Sequence, residues 1–234
     1  FNVATSVTKK FYNKNAPSGR ESNWFYNTCM GVACLVFILI FSIDPTAADP
    51  FAGIMDFSFA SAGLGILFGI LVLAHSYTYM WALEVGPFSY TSVIVSLASL
   101  IAAISGIFFG ESIDIFQYIG MGIMVFCIIF STDKNNGGRK TSLKWLFAAL
   151  ISCVTNGVLG VMQKIHQNTE YKDQSTAFLV SAFAFMTVVS ALIWLYERKK
   201  AGEKHFNPNA KQTGFALASG AVHAVPHVAN LYLA

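Results

Sequence analysis

The segment FSFASAGLGILFGILVLAHSYTYMWAL, residues 57–83, contains no Asp, Glu, Lys or Arg. A membrane-spanning helix needs about 20 predominantly apolar residues, with a range of about 17–25. This segment satisfies that requirement, and so do six other uncharged segments of the chain. Together they predict a polytopic membrane protein. The seven segments are 25–43, 57–83, 85–110, 115–132, 145–163, 174–196 and 212–234.

The composition supports the lipid bilayer as the solvent of this chain. Charged residues make up 12% of the sequence, whereas soluble domains carry about 25%. Backbone groups in lipid are satisfied only within helices or closed barrels. Because barrel strands are alternating segments of about 10 residues, the long uninterrupted runs predict an all-α protein. The net charge of +3 is too small to indicate nucleic acid as a partner.

The basic residues predict the orientation of the chain. All but two of the 15 Lys and Arg residues fall in loops separated by even numbers of spans, so these loops share one face. An excess of Lys and Arg marks the cytoplasmic side. We therefore expect a multi-pass protein of the cell membrane with this face inside. The basic residues on it are Lys9, Lys10, Lys14, Arg20, Lys134, Arg139, Lys140, Lys144, Arg198, Lys199, Lys200, Lys204 and Lys211.

An internal repeat is visible at a distance of 151 residues along the chain. Residues 63–83 align without gaps on GFALASGAVHAVPHVANLYLA, residues 214–234, and Gly69 meets Gly220. Upstream, NVATSVTKKFY resembles GVLGVMQKIHQ, with Lys9 and Lys164 at matching positions. If the first helix ends at Lys9, the repeated unit has five helices. Because five is an odd number of spans, the second copy is then inverted in the membrane relative to the first. Inverted repeats are the usual construction of alternating-access carriers.

The stretch ALEVGPFSYTSV and its continuation resemble the EamA-type branch of the drug/metabolite transporter superfamily. The resemblance is carried by Ala82-Leu83 followed by Gly86-Pro87, by the GES turn at 110–112 and by QYIG at 117–120. The chain departs from the family pattern at SLAS, residues 96–99, where the family often has a proline. The sequence therefore does not decide whether the fourth helix is kinked. The resemblance implies two five-helix units truncated at both ends. Residues 1–132 would form the first half, 133–144 a linker, and 145–234 helices six to eight of the second half.

Several polar residues within the apolar segments are candidates for substrate binding. Ionisable groups in membrane helices usually face a cavity or one another. His223, His227 and Asn230 share one helical face by their spacing of four and three residues, and His75 and Tyr79 form a similar stripe. The alternative is interhelical hydrogen bonding in a packed bundle.

A further polar face belongs to the helix that opens the second half. Asn156 and Gln163 lie on it, and in the inverted-repeat interpretation it lines the central cavity. Glu111 is interpreted as part of a surface turn, and the four cysteines as small packing residues. No cofactor or metal site is expected, because no Gly-rich phosphate loop and no Cys/His metal spacing occurs in the sequence.

The leading functional hypothesis is a secondary active transporter, expected to export a small organic metabolite or drug, with protons as a candidate coupling ion. An uncoupled facilitator or channel of the same fold is the first alternative. A membrane enzyme using His75, His223 and His227 is a second, and a packing subunit or receptor a third. The chain is not expected to be an enzyme, since no cluster of catalytic residues is visible. A homodimer is left open.

The orientation predicts a labelling pattern. Cysteines introduced as Asp49→Cys and Lys200→Cys, each without the four native cysteines, are treated on intact cells with a membrane-impermeant maleimide. We expect labelling of Asp49→Cys only, because the loop of Lys200 carries the basic residues that stay in the cytoplasm. Labelling of Lys200→Cys alone would reverse the topology.

Overall fold

The computed structural model describes residues 2–43, 56–110, 114–130 and 142–232, and within these ranges the chain is helical without any strand. The prediction of an all-α protein is confirmed. Short turns of 3-10 helix occupy Gly106–Phe109 and Gly202–Lys204. The α-helices are α1 (Asn2–Asn15), α2 (Arg20–Phe41), α3 (Phe59–Val85), α4 (Phe88–Ser96), α5 (Ala98–Ser105), α6 (Ile115–Phe130), α7 (Leu143–Gln167), α8 (Ser175–Ala201) and α9 (Ala210–Tyr232).

Five helical segments of the described chain are long and apolar enough to cross a membrane, which confirms a polytopic membrane protein. Two of the seven predicted segments, which form α6 and α9, are not among these five. Helix α6 has only 16 described residues, and α9 has 23 but is less hydrophobic, since it contains histidines and amides. The five segments are Arg20–Phe41, Phe59–Val85, Phe88–Phe109, Leu143–Gln167 and Ser175–Lys204.

The membrane segment Phe88–Phe109 is interrupted at Leu97, between α4 and α5. The break needs no proline. The Ser96 hydroxyl donates to the carbonyl of Ser92 at 2.8 Å, and the Ser99 hydroxyl donates to the carbonyl of Ser96 at 2.8 Å. Hydroxyls that bond back to the preceding turn compete with the helical ladder and often bend a helix. Two such bonds flank the interruption, and no proline stands there.

The helices pack around a core at the centre of the bundle. Helix α3 lies against α7 and α8, helix α2 against α8 and α9, and helix α1 against α9. Side chains from four of these helices fill the core and are fully buried. They include Tyr26, Met30, Phe68, Phe183 and Met186, with Ala216 from α9.

Two glycines that the sequence repeat aligns both allow close contact with the backbone of a neighbouring helix. A Cβ atom at Gly69 would lie 2.4 Å from the carbonyl oxygen of Ala182 on α8. A Cβ atom at Gly220 would lie 2.4 Å from the carbonyl oxygen of Met30 on α2. Because the sequence repeat aligns Gly69 with Gly220, the two positions make matching contacts on different helix pairs. This packing agrees with the predicted repeat, and the inverted relation of the two halves stays a prediction.

The first helix does not end at Lys9, as the repeat alignment assumed. Helix α1 continues to Asn15, and Lys9 is fully buried within it rather than in a basic loop. The continuation is anchored because the Tyr12 hydroxyl donates to the carbonyl of Ser22 at 2.8 Å. The excess of Lys and Arg in the loops of the predicted cytoplasmic face remains when Lys9 is not counted among them.

Loops that the charge pattern assigns to the same side of the membrane lie close to one another at the same end of the bundle. The backbone N–H of Phe206 donates to Glu21 at 2.9 Å, which joins the α1–α2 turn to the α8–α9 loop. At the other end, Gln174 donates to Asp56 at 3.0 Å. The predicted loop positions Asp49, Glu111 and Lys140 lie outside the described residues, as does most of the predicted linker.

Substitution of Gly69 tests the α3–α8 contact. Gly69→Ala should lower the free energy of unfolding by about 1–3 kcal/mol, because the methyl group would force the backbone of α8 away. The matched control is Gly63→Ala on the same helix, where a Cβ meets nothing within 4 Å. Thermal unfolding in detergent compares the two variants. Equal midpoints would contradict the contact.

Candidate substrate site

Two adjoining cavities lie inside the helix bundle and share Asn156 and His223 in their walls. The first has a volume of about 150 Å³ and is bordered by α1, α3, α4, α7 and α9. The second has a volume of about 330 Å³ and is bordered by α5, α7 and α9. The first is lined by Thr5, Ser6, Val7, Lys9, His75, Tyr79, Phe88, Ser92, Val95, Ser96, Asn156 and His223. The second is lined by Ala98, Ser99, Ala102, Asn156, Leu159, Gly160, Gln163, His223, Pro226 and His227.

Hydrogen bonds fix the polar groups of the first cavity. His75 Nδ1 lies 3.0 Å from the carbonyl oxygen of Ser152 on α7. Because a carbonyl only accepts, this contact places the ring proton on Nδ1 and leaves Nε2 as an acceptor. The Tyr79 hydroxyl donates to Ser6 Oγ at 2.8 Å and lies 3.3 Å from Ser92 Oγ. These bonds tie α1, α3, α4 and α7 to one another around the cavity.

A chain of three side chains borders the second cavity. The amide nitrogen of Gln163 lies 3.1 Å from His227 Nδ1, and His227 Nε2 lies 3.3 Å from His223 Nε2. With the amide nitrogen toward His227, protons are donated from Gln163 to His227 and on to His223, and with the amide oxygen there they are donated in the opposite direction. In either orientation the chain links all three side chains.

The structure brings most of the residues predicted for the site to these cavities. His75 and Tyr79 line the first, Gln163 and His227 line the second, and His223 and Asn156 line both. His75 and His227, which the repeat alignment placed at matching depth, border different cavities with His223 between them. Asn230 is on α9, but its side chain lies outside the described residues.

Lys9 is the ionisable lining residue that the sequence analysis did not predict for the site. Its position in KKFYNK suggested a loop, yet it is fully buried and its Nζ lies 4.6 Å from the centroid of the Tyr79 ring. A helical pattern could have revealed it. Thr5, Lys9 and Tyr12 follow the spacing of four and three residues that defines one helix face, and all three are buried.

The arrangement is suited to binding rather than to holding a metal. Within the described residues no group of three or more His, Cys, Asp or Glu side chains is placed to bind a metal ion. The cavities instead combine hydroxyl, amide and imidazole groups with aromatic rings. Binding sites for small molecules usually combine an apolar wall with a few polar groups that set orientation.

A bundle of membrane-spanning helices with polar groups around its cavities fits a membrane transporter. The model of the EamA-like transporter family matches residues 3–132 of the chain, which is more than half of its length. The chain therefore belongs to the EamA-like transporter family of the drug/metabolite transporter superfamily, and the resemblance found in the sequence is confirmed. No curated protein and no solved structure matches the chain.

A double-mutant cycle tests the hydrogen-bonded chain of the second cavity. Gln163→Leu and His227→Phe should show a coupling of about 0.5–1.5 kcal/mol in unfolding free energy, because each removes one end of the same hydrogen bond. Ser152→Ala with Gln163→Leu is the control pair. The two residues are roughly 16 Å apart along α7 at 1.5 Å per residue, so their effects should add. Additive effects in the first pair would mean that the bond contributes nothing.

Proposed function

We propose that the protein is a secondary active transporter that exports a small organic metabolite or drug across the cell membrane by alternating access. The observation that carries the proposal is the pair of neighbouring cavities with polar groups in their walls, which share Asn156 and His223 within an apolar helix bundle. Polar and ionisable groups inside a membrane are costly and mark substrate or ion pathways. The cavity walls concentrate six buried or half-buried polar side chains that the sequence singles out.

The proposed roles follow from what each side chain offers. His75 and Tyr79 bind one end of the substrate in the first cavity, where hydrogen bonds already hold both rings. Gln163, His227 and His223 bind the other end through their hydrogen-bonded chain. Asn156 borders both cavities and can contact the substrate between the two ends. Asn230 is assigned to the same helix face as His223 and His227 by its spacing.

Alternating access is supported by where the cavity walls come from. The predicted first half supplies α1, α3, α4 and α5, and the predicted second half supplies α7 and α9. The interfaces at Gly69 and Gly220 are narrow because backbone meets backbone there. Rocking of one half against the other would open the shared cavity to each side in turn, as in carriers built from inverted repeats.

Flux measurements on the complete protein test this function. A growth-rescue screen against toxic metabolites first selects a substrate, which is then followed in proteoliposomes with and without a pH gradient. A pH gradient should drive accumulation if protons are the coupling ion, and equilibration alone would identify the uncoupled facilitator. Chemical conversion of the compound without flux would favour the enzyme hypothesis.

The histidines should affect substrate affinity in the same assay. His75→Ala and His227→Ala should each weaken apparent affinity by about 3- to 100-fold, because each removes a hydrogen-bonding group in a low-dielectric site. Leu192→Ala on α8 is the control, since that side chain is exposed on the outside of the bundle. Unchanged transport with lowered thermal stability in both histidine variants would mean that the histidines are structural.

A further inference from the structure

The buried amino group of Lys9 distinguishes the first cavity. Lys9 is fully buried and borders the cavity from the middle of α1. Its Nζ is 4.6 Å from the centroid of the Tyr79 ring. A cation over an aromatic face is attracted by about 2 kcal/mol or more when desolvated. This attraction is small beside the free energy needed to bury a charge in a low-dielectric medium.

No acidic side chain in the cavity walls offsets this charge. The described residues that line the two cavities include no Asp or Glu. The neighbouring polar groups are hydroxyls, amides and imidazoles, all formally uncharged in the hydrogen-bonding pattern described above. Buried charges in proteins are normally paired or bound to a ligand. An unpaired buried amino group instead loses its proton, so a bound carboxylate would be the partner that holds Lys9 in its charged form.

Hydroxyl groups beside Lys9 can complete an anion site. Ser6 and Ser92 border the same cavity and both contact the Tyr79 hydroxyl, so three hydroxyls meet in the walls of the cavity that Lys9 also lines. A carboxylate has two oxygens, and it can accept from the ammonium with one and from a hydroxyl with the other. One cation balances one negative charge, which favours a monocarboxylate over a doubly charged phosphate group.

We propose that Lys9 is a substrate-binding residue and that the transported compound is a small organic monocarboxylate. This inference rests on the proposed function and narrows its substrate class. The carboxylate occupies the first cavity, of about 150 Å³, against Lys9 and the hydroxyls of Ser6 and Ser92. The uncharged remainder extends past Asn156 into the second cavity, of about 330 Å³, toward His227 and Gln163.

Paired ligands that differ only in charge test the proposal. The purified complete protein is titrated calorimetrically with acetate and acetamide, lactate and lactamide, and phenylacetate and phenylacetamide. We expect at least one acid to bind about 10- to 100-fold more tightly than its amide, because a charge-assisted hydrogen bond is stronger than a neutral one. Lys9→Met should abolish this preference while keeping the volume of the side chain, and Lys9→Arg should retain part of it.

Lys10→Met is the matched control. Lys10 is the next residue on α1, is exposed, and places its Nζ over the Phe88 ring at 4.5 Å. Its removal should leave the acid-to-amide ratio unchanged. The proposal is overturned if no acid in the series binds better than its amide, or if Lys9→Met leaves the ratio as it is in the wild type. Thermal unfolding confirms that each variant is folded before titration.

The outcomes separate this inference from the proposed function. If acids bind through Lys9 but no compound crosses a proteoliposome membrane, the transporter function fails and the anion site stands. If a compound is transported and Lys9→Met changes neither its binding nor the acid preference, the transporter function stands and the assignment of Lys9 fails.

Discussion

Helices in a bilayer gain little from burying apolar side chains, since lipid is equally apolar, so their association depends on how closely their backbones approach. In this protein the approach is set by small residues at a few positions. Gly69 brings α3 against the backbone of α8, and Gly220 brings α9 against the backbone of α2. Gly160 does the same for α7, where a Cβ would lie 2.5 Å from the Cβ of Ala102 on α5. Gly160 also lines the second cavity, so one of these close contacts borders the candidate site.

The polar groups occupy the space that this packing leaves. Each of the three histidines of the site has a hydrogen-bonding partner: Ser152 for His75, Gln163 for His227, and His227 for His223. His166 is a useful contrast, because it is also buried but bonds Ser61 at 3.2 Å at one end of α7, away from both cavities. Burial of a histidine in this bundle therefore does not by itself mark the site. Position on a cavity wall does.

Family membership and the cavity walls contribute different parts of the functional argument. The EamA-like family match establishes a membrane transporter and covers residues 3–132. Most of the hydrogen-bonding groups of the second cavity lie beyond that range, on α7 and α9. The proposed substrate class therefore rests on the cavity walls, above all on the buried Lys9, which has no acidic side chain beside it among the described lining residues.

The sequence by itself determined the solvent, the helical class and the family. Uncharged runs of membrane-spanning length leave helices as the structure that satisfies the backbone in lipid, and no tertiary information is needed for that step. Spacing along single helices also identified His223 with His227 and Asn156 with Gln163, because residues on one face of a helix follow from its period.

Only the tertiary structure decided which faces meet and which charges are inside. The helix is interrupted at Leu97, beside serine hydroxyls that bond back to the preceding turn, whereas the sequence alone had not decided whether a kink forms. Lys9 looked like a loop residue beside Lys10, and the two differ only in the direction each takes from α1. Lys10 points outward and Lys9 inward, because residues 100° apart on a helix face different neighbours. Local sequence specifies the helix, but the packing of α3, α4 and α9 against it decides which lysine is buried.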